Sequence, residues 1–562
     1  MPGIRAKMII ELPHGTALGK FFHGDLRGNH SAAYNTNGTN GSKVHDPEYG
    51  LSSAWSHYYS PPNTSAQGRW EGELENLVVY GEVPREIEGT FCRLIVDPHY
   101  PPHPANGFTE GDGNICALRF QDGRVDMKVK YVETERWLLE RKANERLFHI
   151  YRNPYSNHPC VRMANDSTAN TNILYWGGNL LAISERGLPY AVDPDTLETR
   201  GCDPFGGQVK AKTFTAHPKV DPYANELVTW GYEAKGLGTP DVCVYTVDPY
   251  GKVSNEFWFQ EEEPTMVHDA WVTENWIVMC SMPFKVNSDE DMKKGSQHWE
   301  YVVDKPSGFL VAPRHPGSPK HPGWKPGEVR RYNWKNGLVI HKGGAWEDED
   351  GKLKLESHFI ASNVVFTFWN PPGMKYPEEP TGDWVRWTID LDKPAEAWLP
   401  DPDVLFAGLV DFPKTDERFL TRRQRVVYLA ACDAGRTSGR RFGFNSVVRL
   451  DTETRETAIF EPPEDGSRLA EPVFVPRSDG APEGDGWVIF WRDSPSVPKG
   501  EIVILDTNDF TRPVALVKLP FAMRNQVHGN WIPNTNPGKP LPKLTKAVKD
   551  VTPSSVGALN RV

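Results

Sequence analysis

The chain has 562 residues and a net charge of −11, with 49 Gly and 49 Pro scattered along its length. No basic stripe is present, which argues against a nucleic-acid partner, and no stretch of about 18 apolar residues occurs, which argues against a transmembrane helix. Seven cysteines without a CxxC pair read as free thiols of a reducing compartment, and the apolar run in MPGIRAKMIIELPHG is too short for a signal peptide, so the expected location is cytoplasmic.

Residues 1–70 are rich in Asn, Gly, Ser and Thr and predict an irregular N-terminal extension. From Glu71 the pattern changes: VVYGEVP, GTFCRLIV, NICALRF and RVDMKVKYVETERW read as consecutive strands joined by tight turns. NILYWGGNLLAISERGLPYAVD, ANELVTWGYEA, DVCVYTVDPYGKVSNEFWF and WVTENWIVMCSM continue the rhythm. Residues 283–335 are long and polar and predict an inserted loop over one face. Strands resume at LVIHKGGAWEDEDGKLKLESHFI and run to VALVKLP. The turns DPDTLETRG and LDTETRE resemble each other and suit the outer edges of propeller blades. A closed all-β architecture can use residues 71–535 as one domain, and residues 536–562 read as an extended C-terminal tail. The 19 Trp, 19 Tyr and 25 Phe supply aromatic mass for such a core.

Four histidines each sit in a short motif of their own. His217 lies in TFTAHPKVDP, His268 in TMVHDAWVTENW, His341 in VIHKGGAWEDEDG and His528 in NQVHGNWIP. No local helix can gather residues so far apart in sequence; a fold that returns repeatedly to one axis can. If the four converge, they make an all-imidazole metal site. A lone His in such a stretch is more often a turn or core residue, and His315, His321 and His358 are local rivals to His341. EGDG at residues 110–113 lacks the spacing of a calcium loop and reads as a hairpin turn.

Taken together, these motifs resemble the carotenoid cleavage oxygenase family, and within it the lignostilbene dioxygenase-like, aryl-alkene branch that includes fungal members. The resemblance runs from about Gly81 to Trp531. It is carried by VVYGEVPREIEGTFCR, GFTEGDGNICALRF, NTNILYWGGNLLAISERGLPYAVDPDTLETRG, the four histidine motifs in order, and EPVFVPR with EGDGWVIFW. It implies a seven-bladed β-propeller, with loops and short helices capping the face above an axial iron. His217, His268, His341 and His528 would be the Fe(II) ligands.

Ligand histidines normally donate their second N–H to a carboxylate or carbonyl. The family's acidic positions fall at Glu185, Asp411 and Glu471. At the second of these the family more often carries Glu, so a longer or water-bridged contact is expected from the shorter Asp411. Glu347 is a lower-ranked candidate of the same kind. Three residues after His341 the family usually has Asn, and here stands Gly344, so the local turn is expected to differ. The stilbene-cleaving branch holds a substrate phenol with a Tyr and a Lys. Tyr151 falls near the Tyr position, Ser184 replaces the Lys, and Phe108 is a further candidate to line the pocket.

The reading that follows is a non-haem iron dioxygenase. With Fe(II) and O2 as co-substrate it would split the C=C bond of a small, hydrophobic phenylpropenoid or stilbene-type alkene into two carbonyls. Cleavage of an apocarotenoid, isomerisation or monooxygenation at the same iron, and a non-catalytic propeller scaffold are the competing readings. A catalytic zinc site is disfavoured because it normally uses three protein ligands and keeps the fourth position for water. The sequence leaves the oligomeric state open.

Overall fold

The computed structural model describes residues 71–533, apart from 104, 108, 316–320, 376–381, 433–443, 495–496 and 522–525, together with Ala6–Lys7. The expected tail and nearly all of the expected N-terminal extension lie outside these residues; Ala6–Lys7 pairs with Gly72–Leu74.

The chain forms a seven-bladed β-propeller. One blade is built from Arg124–Tyr131, Gly113–Gln121 and Gly89–Val96 and is closed by the distant strand Gln526–Pro533. Three four-stranded blades follow, starting at Asn172–Trp176, Lys219–Asp221 and Ala270–Val272. The fifth and sixth, starting at Lys342–Glu347 and Leu409–Thr415, share one sheet through a parallel pair at Gly382 and Leu409. The seventh is centred on Gly486–Ser494 and takes Val79–Gly81 as an edge strand. First and last strands are thus exchanged between neighbouring blades, which locks the ring.

Local sequence explains the elements. Arg124–Tyr131 alternates buried and exposed side chains, as a strand with one solvated face should. Gly89–Val96 and Asp241–Val247 are buried throughout, because blades pack on both of their faces. The turn into Arg124–Tyr131 is Asp122-Gly123, both at positive φ (55° and 73°), the conformation a two-residue hairpin needs. Indole rings fill the spaces between blades: Trp230, Trp271, Trp384, Trp387, Trp487 and Trp491 are fully buried, and Trp271 stacks on Phe309.

The stretch 283–335 differs from the expected loop. Ser307–Pro313 and Arg330–Trp334 are regular strands of the fourth blade, paired with Trp276–Ser281 and with each other. Phe284–Val286 and Trp299–Tyr301 form a small hairpin. Flanking Pro, Gly and Lys give the segment its polar composition, yet Ser307–Pro313 is wholly buried.

The innermost strands ring the axis. Lys342–Glu347 packs on Ala270–Val272 and Leu409–Thr415, and Gln526–Pro533 packs on Asn172–Trp176 and Val473–Pro476. Three of them break register, at Lys342/Ala345, Asp411/Lys414 and Gln526/Gly529. Such bulges re-aim side chains, and these lie at His341, Asp411 and His528.

Candidate active site

His217 and His268 immediately precede or closely approach the inner strands Lys219–Asp221 and Ala270–Val272, His341 directly precedes Lys342–Glu347, and His528 lies inside Gln526–Pro533. The structure brings all four together on the axis, with one ring nitrogen of each inside a cluster no wider than 4.8 Å. The Nε2 atoms of His217 and His268 are 3.0 Å apart, and those of His268 and His341 are 3.3 Å apart. All four residues are at most 9% exposed.

The opposite nitrogens face carboxylates. His268 Nδ1 lies 2.7 Å from Glu185 Oε1, His341 Nδ1 lies 2.6 Å from Asp411 Oδ1, and His528 Nδ1 lies 2.8 Å from Glu471 Oε1. A carboxylate at Nδ1 places the proton there and turns the Nε2 lone pair inward. Inward lone pairs 3 Å apart repel unless a cation sits between them, and His528 Nε2 is buried without a hydrogen-bond partner. The donor set therefore fits a divalent metal bound through four neutral imidazoles.

The electrostatics keep His217, His341 and His528 neutral. Burial lowers His217 well below the usual histidine range, and its three neighbours add to the effect. Burial also lowers His528, and it takes His341 to about 4 against the opposing pull of Asp411. The acids stay ionised: burial works against this, but Lys414, His528 and Arg93 hold Glu471 at about 2, and His341 with His358 holds Asp411 lower still. His268 and Arg152 depress Glu185 despite its burial.

Two expectations change here. Asp411 reaches His341 directly, with neither a long contact nor a bridging water, because the register break at Asp411/Lys414 and Phe412 at φ 52° push the shorter side chain inward. Glu347 does not face a histidine; it accepts hydrogen bonds from Thr273 Oγ1 and from both nitrogens of Asn275, tying two blades together. The turn at Gly344 does bulge, and a Cβ on Gly343 would come within 2.6 Å of Trp384.

His358 is outside the cluster. Its Nε2 accepts from the Ile340 backbone N–H at 3.2 Å, and its Nδ1 lies 2.9 Å from Asp411 Oδ1, off the line of an ideal hydrogen bond. His315 is exposed, and His321 sits near Asp392. The EGDG stretch is more than a turn: Glu110 is buried between Arg136 and Arg186, which hold its carboxylate at about 2 against the pull of burial.

One side of the cluster opens into a largely apolar cavity walled by Met266, Ile340, Val365, Phe366, Trp369 and Val527. Phe366 stacks on Trp369 with ring centroids 4.9 Å apart. Tyr151 and Ser184 line this cavity, and Phe108 lies outside the described residues. The other side opens along the axis between Lys219, Asp269, Lys414 and Asn530.

Sequence reasoning missed Arg93, Thr168, Phe366 and Trp369. Arg93 is fully buried and holds Glu471, the Gln526 side chain and the Val527 carbonyl. These partners lie hundreds of residues from Arg93, so no local pattern marks them. Among the described residues no helix is long and apolar enough to cross a membrane.

Comparison with known proteins agrees with this architecture. The family model described as RPE65, retinal pigment epithelial membrane protein, matches residues 65–533. A resveratrol cleavage oxygenase of Botryotinia fuckeliana is 45% identical over 91% of this chain and 92% of its own length. An isoeugenol monooxygenase of Pseudomonas nitroreducens is 35% identical over 83% and 96%. The crystal structure of Pseudomonas brassicacearum lignostilbene dioxygenase superposes with a TM-score of 0.77 at 35% identity, covering 83% of this chain and 96% of that one. The chain belongs to the RPE65, or carotenoid cleavage oxygenase, family of metal-dependent oxygenases.

Proposed function

We propose that this protein uses O2 to split the C=C bond of a phenylpropenoid or stilbene-type alkene into two carbonyl products, with Fe(II) held by His217, His268, His341 and His528. The observation that carries the reading is the four-imidazole cluster opening into a cavity walled by Phe366 and Trp369. The names of the relatives, which act on resveratrol, isoeugenol and lignostilbene, support the same class.

Bound ferrous iron would supply the activation of O2. The chain's own residues do the rest. Glu185, Asp411 and Glu471 fix three imidazoles through Nδ1 and keep their Nε2 lone pairs on the axis. The aromatic and aliphatic walls take up a flat arene by stacking and burial and keep water from the reacting double bond. Both oxygen atoms end in product, one on each former alkene carbon, so the balance needs no external reductant.

The test is product analysis by mass spectrometry of the Fe(II)-reconstituted protein under O2 with resveratrol, isoeugenol and an apocarotenal. Aldehydes from the first two establish aryl-alkene cleavage. Products from the polyene alone move the protein to apocarotenoid cleavage. No product from any of them, with iron demonstrably bound, overturns the reading.

A further inference from the structure

The three acids behind the histidine cluster are held from their far sides in different ways. Glu471 takes Arg93 directly, at 2.9 Å. Among the described residues no Lys or Arg forms an ion pair with the Glu185 carboxylate. Its Oε1 accepts from His268 Nδ1 at 2.7 Å, and its Oε2 accepts from the Tyr232 hydroxyl at 3.0 Å. Tyr232 Oη in turn accepts from Arg152 Nη2 at 3.2 Å, and the same nitrogen donates to the Glu185 backbone carbonyl at 2.7 Å. Arg152 Nη1 is ion-paired with Glu233. Glu233 Oε1 accepts from His298 Nε2 at 2.7 Å and from the Gly238 backbone N–H at 2.7 Å. A continuous hydrogen-bonded chain thus runs from the ligand His268 to His298. Tyr232, Arg152, Glu233 and His298 are all at most 4% exposed.

None of these four side chains lines the apolar cavity, so substrate contact does not account for them. A buried ion pair is weak evidence of stabilisation, because desolvation offsets its attraction. This one is also held in a strained backbone: Arg152 and Glu233 both lie at positive φ, 52° and 50°. Such strain persists only where the surroundings over-determine it, and it gathers at functional sites. Burial works against ionisation of Glu233, but Arg152 and His298 hold it below the usual carboxylate range. The outer end of the chain belongs to the small hairpin. His298 directly precedes its strand Trp299–Tyr301, and Asn153, next to Arg152, donates to the Met292 and Ser296 carbonyls at 2.7 and 2.8 Å.

We infer that Tyr232, Arg152, Glu233 and His298 form a positioning relay, which fixes the Glu185 carboxylate, and through it the His268 ring in the metal cluster, from the hairpin at residues 284–301. A carboxylate held by one oxygen alone can turn about its side-chain bonds; the Tyr232 hydroxyl on Oε2 stops that rotation. Arg152 polarises the same hydroxyl, and linked hydrogen bonds strengthen one another in a low dielectric. The relay rests on the metal reading of the four histidines and not on the identity of the alkene.

The full chain loaded with Co(II) alone tests the relay without turnover. The probe is the set of hyperfine-shifted imidazole N–H resonances in its proton NMR spectrum, with Glu185→Gln marking the one that belongs to His268. Tyr232→Phe removes one hydroxyl and keeps the ring. It is expected to bind one Co(II) per chain about 3- to 10-fold more weakly in chelator competition. It is also expected to shift the His268 resonance while those of His341 and His528 stay in place. His298→Leu is expected to shift the same resonance, and His298→Gln, which keeps a donor for Glu233, to return it to its native position. If His298→Leu does not fold, Tyr232→Phe alone decides. Native Co(II) affinity with a native His268 resonance in Tyr232→Phe, or in a folded His298→Leu protein, overturns the relay. So do equal shifts at all the ligand imidazoles, which a general loosening of the site would give. Native protein that takes up no Co(II) overturns the metal reading and the relay together. Cleavage is not measured here, so failure of the alkene reading leaves each of these outcomes decisive.

Discussion

Asp411 presents a single carboxylate oxygen to two imidazoles: His341 Nδ1 lies 2.6 Å and His358 Nδ1 2.9 Å from Oδ1. The same oxygen accepts the backbone N–H of Phe412 at 2.6 Å. Asp411 is thus clamped from three sides, and its position fixes the plane of His341. Asp411→Ala is expected to lower iron affinity by roughly 10- to 100-fold, measured by competition with a chelator. His358→Ala is expected to cost less iron affinity than Asp411→Ala, because it loosens the acid without removing it. Equal iron affinity in Asp411→Ala and the native protein would show that the acid does not support the site.

Arg93 ties the closing strand to the first blade. It donates to Gln526 Oε1 at 2.6 Å, to the Val527 carbonyl at 2.9 Å and to Glu471 Oε2 at 2.9 Å, with no exposed surface of its own. Arg93→Ala leaves Glu471 charged and buried with Lys414, 3.8 Å away, as its cationic partner and with the hydrogen bonds from His528 Nδ1 and the Gly529 backbone N–H. Removing one partner of a buried pair costs about 3–5 kcal/mol. A large fall in Tm is expected, with iron lost together with the blade closure that carries His528. A variant with native Tm would show that Arg93 is not what holds the propeller shut.

A closed all-β architecture was legible from short-range chemistry, in alternating strands and in turns rich in Asp, Asn and Gly, whereas the seven blades and the choice of His217, His268, His341 and His528 as ligands rested on the family resemblance of their motifs. The partners of those histidines were legible only through family resemblance, since Glu185 and His268 are separated by 83 residues and meet only in the closed ring. The strand Ser307–Pro313 was hidden because its polar flanks dominate the composition of the segment, while burial is decided by the neighbouring strands that pair with it. The direct reach of Asp411 was misjudged for a similar reason: side-chain length is visible in sequence, whereas a register break that moves the backbone inward is not.

Metal removal tests the cluster as a whole. Anything that binds the native state alone stabilises it by mass action, and here it would also relieve four inward-facing lone pairs. Iron is expected to bind at one ion per chain and to raise Tm, and a chelator is expected to reverse the shift. His217→Ala and His528→Ala are expected to bind less than about a tenth of the native iron at equal free metal while keeping the far-ultraviolet circular dichroism of the propeller. Full iron content in either variant would remove that histidine from the ligand set.

Acid lability is expected from the turns at the blade edges. Asp193 Oδ1 accepts the backbone N–H groups of Asp195 and Thr196 at 2.9 and 2.8 Å, and Asp451 Oδ1 accepts those of Glu453 and Thr454 at 3.0 Å each. Burial opposes ionisation at both, but these amides together with Arg200 and Arg425 bring each carboxyl from 3.8 to about 2. A carboxylate whose folded pKa lies below its unfolded value binds fewer protons in the folded state. Its contribution is therefore complete above the unfolded value and is lost as pH falls toward the folded one. The window is the interval from about 4 down to about 2. The double variant Asp193→Asn, Asp451→Asn keeps an acceptor oxygen but no charge. It is expected to have a lower Tm than the native protein at neutral pH and a shallower loss of Tm across the acid window, so that the two curves converge at its lower end. Parallel curves through the window would show that these two carboxylates do not set the acid stability of the fold.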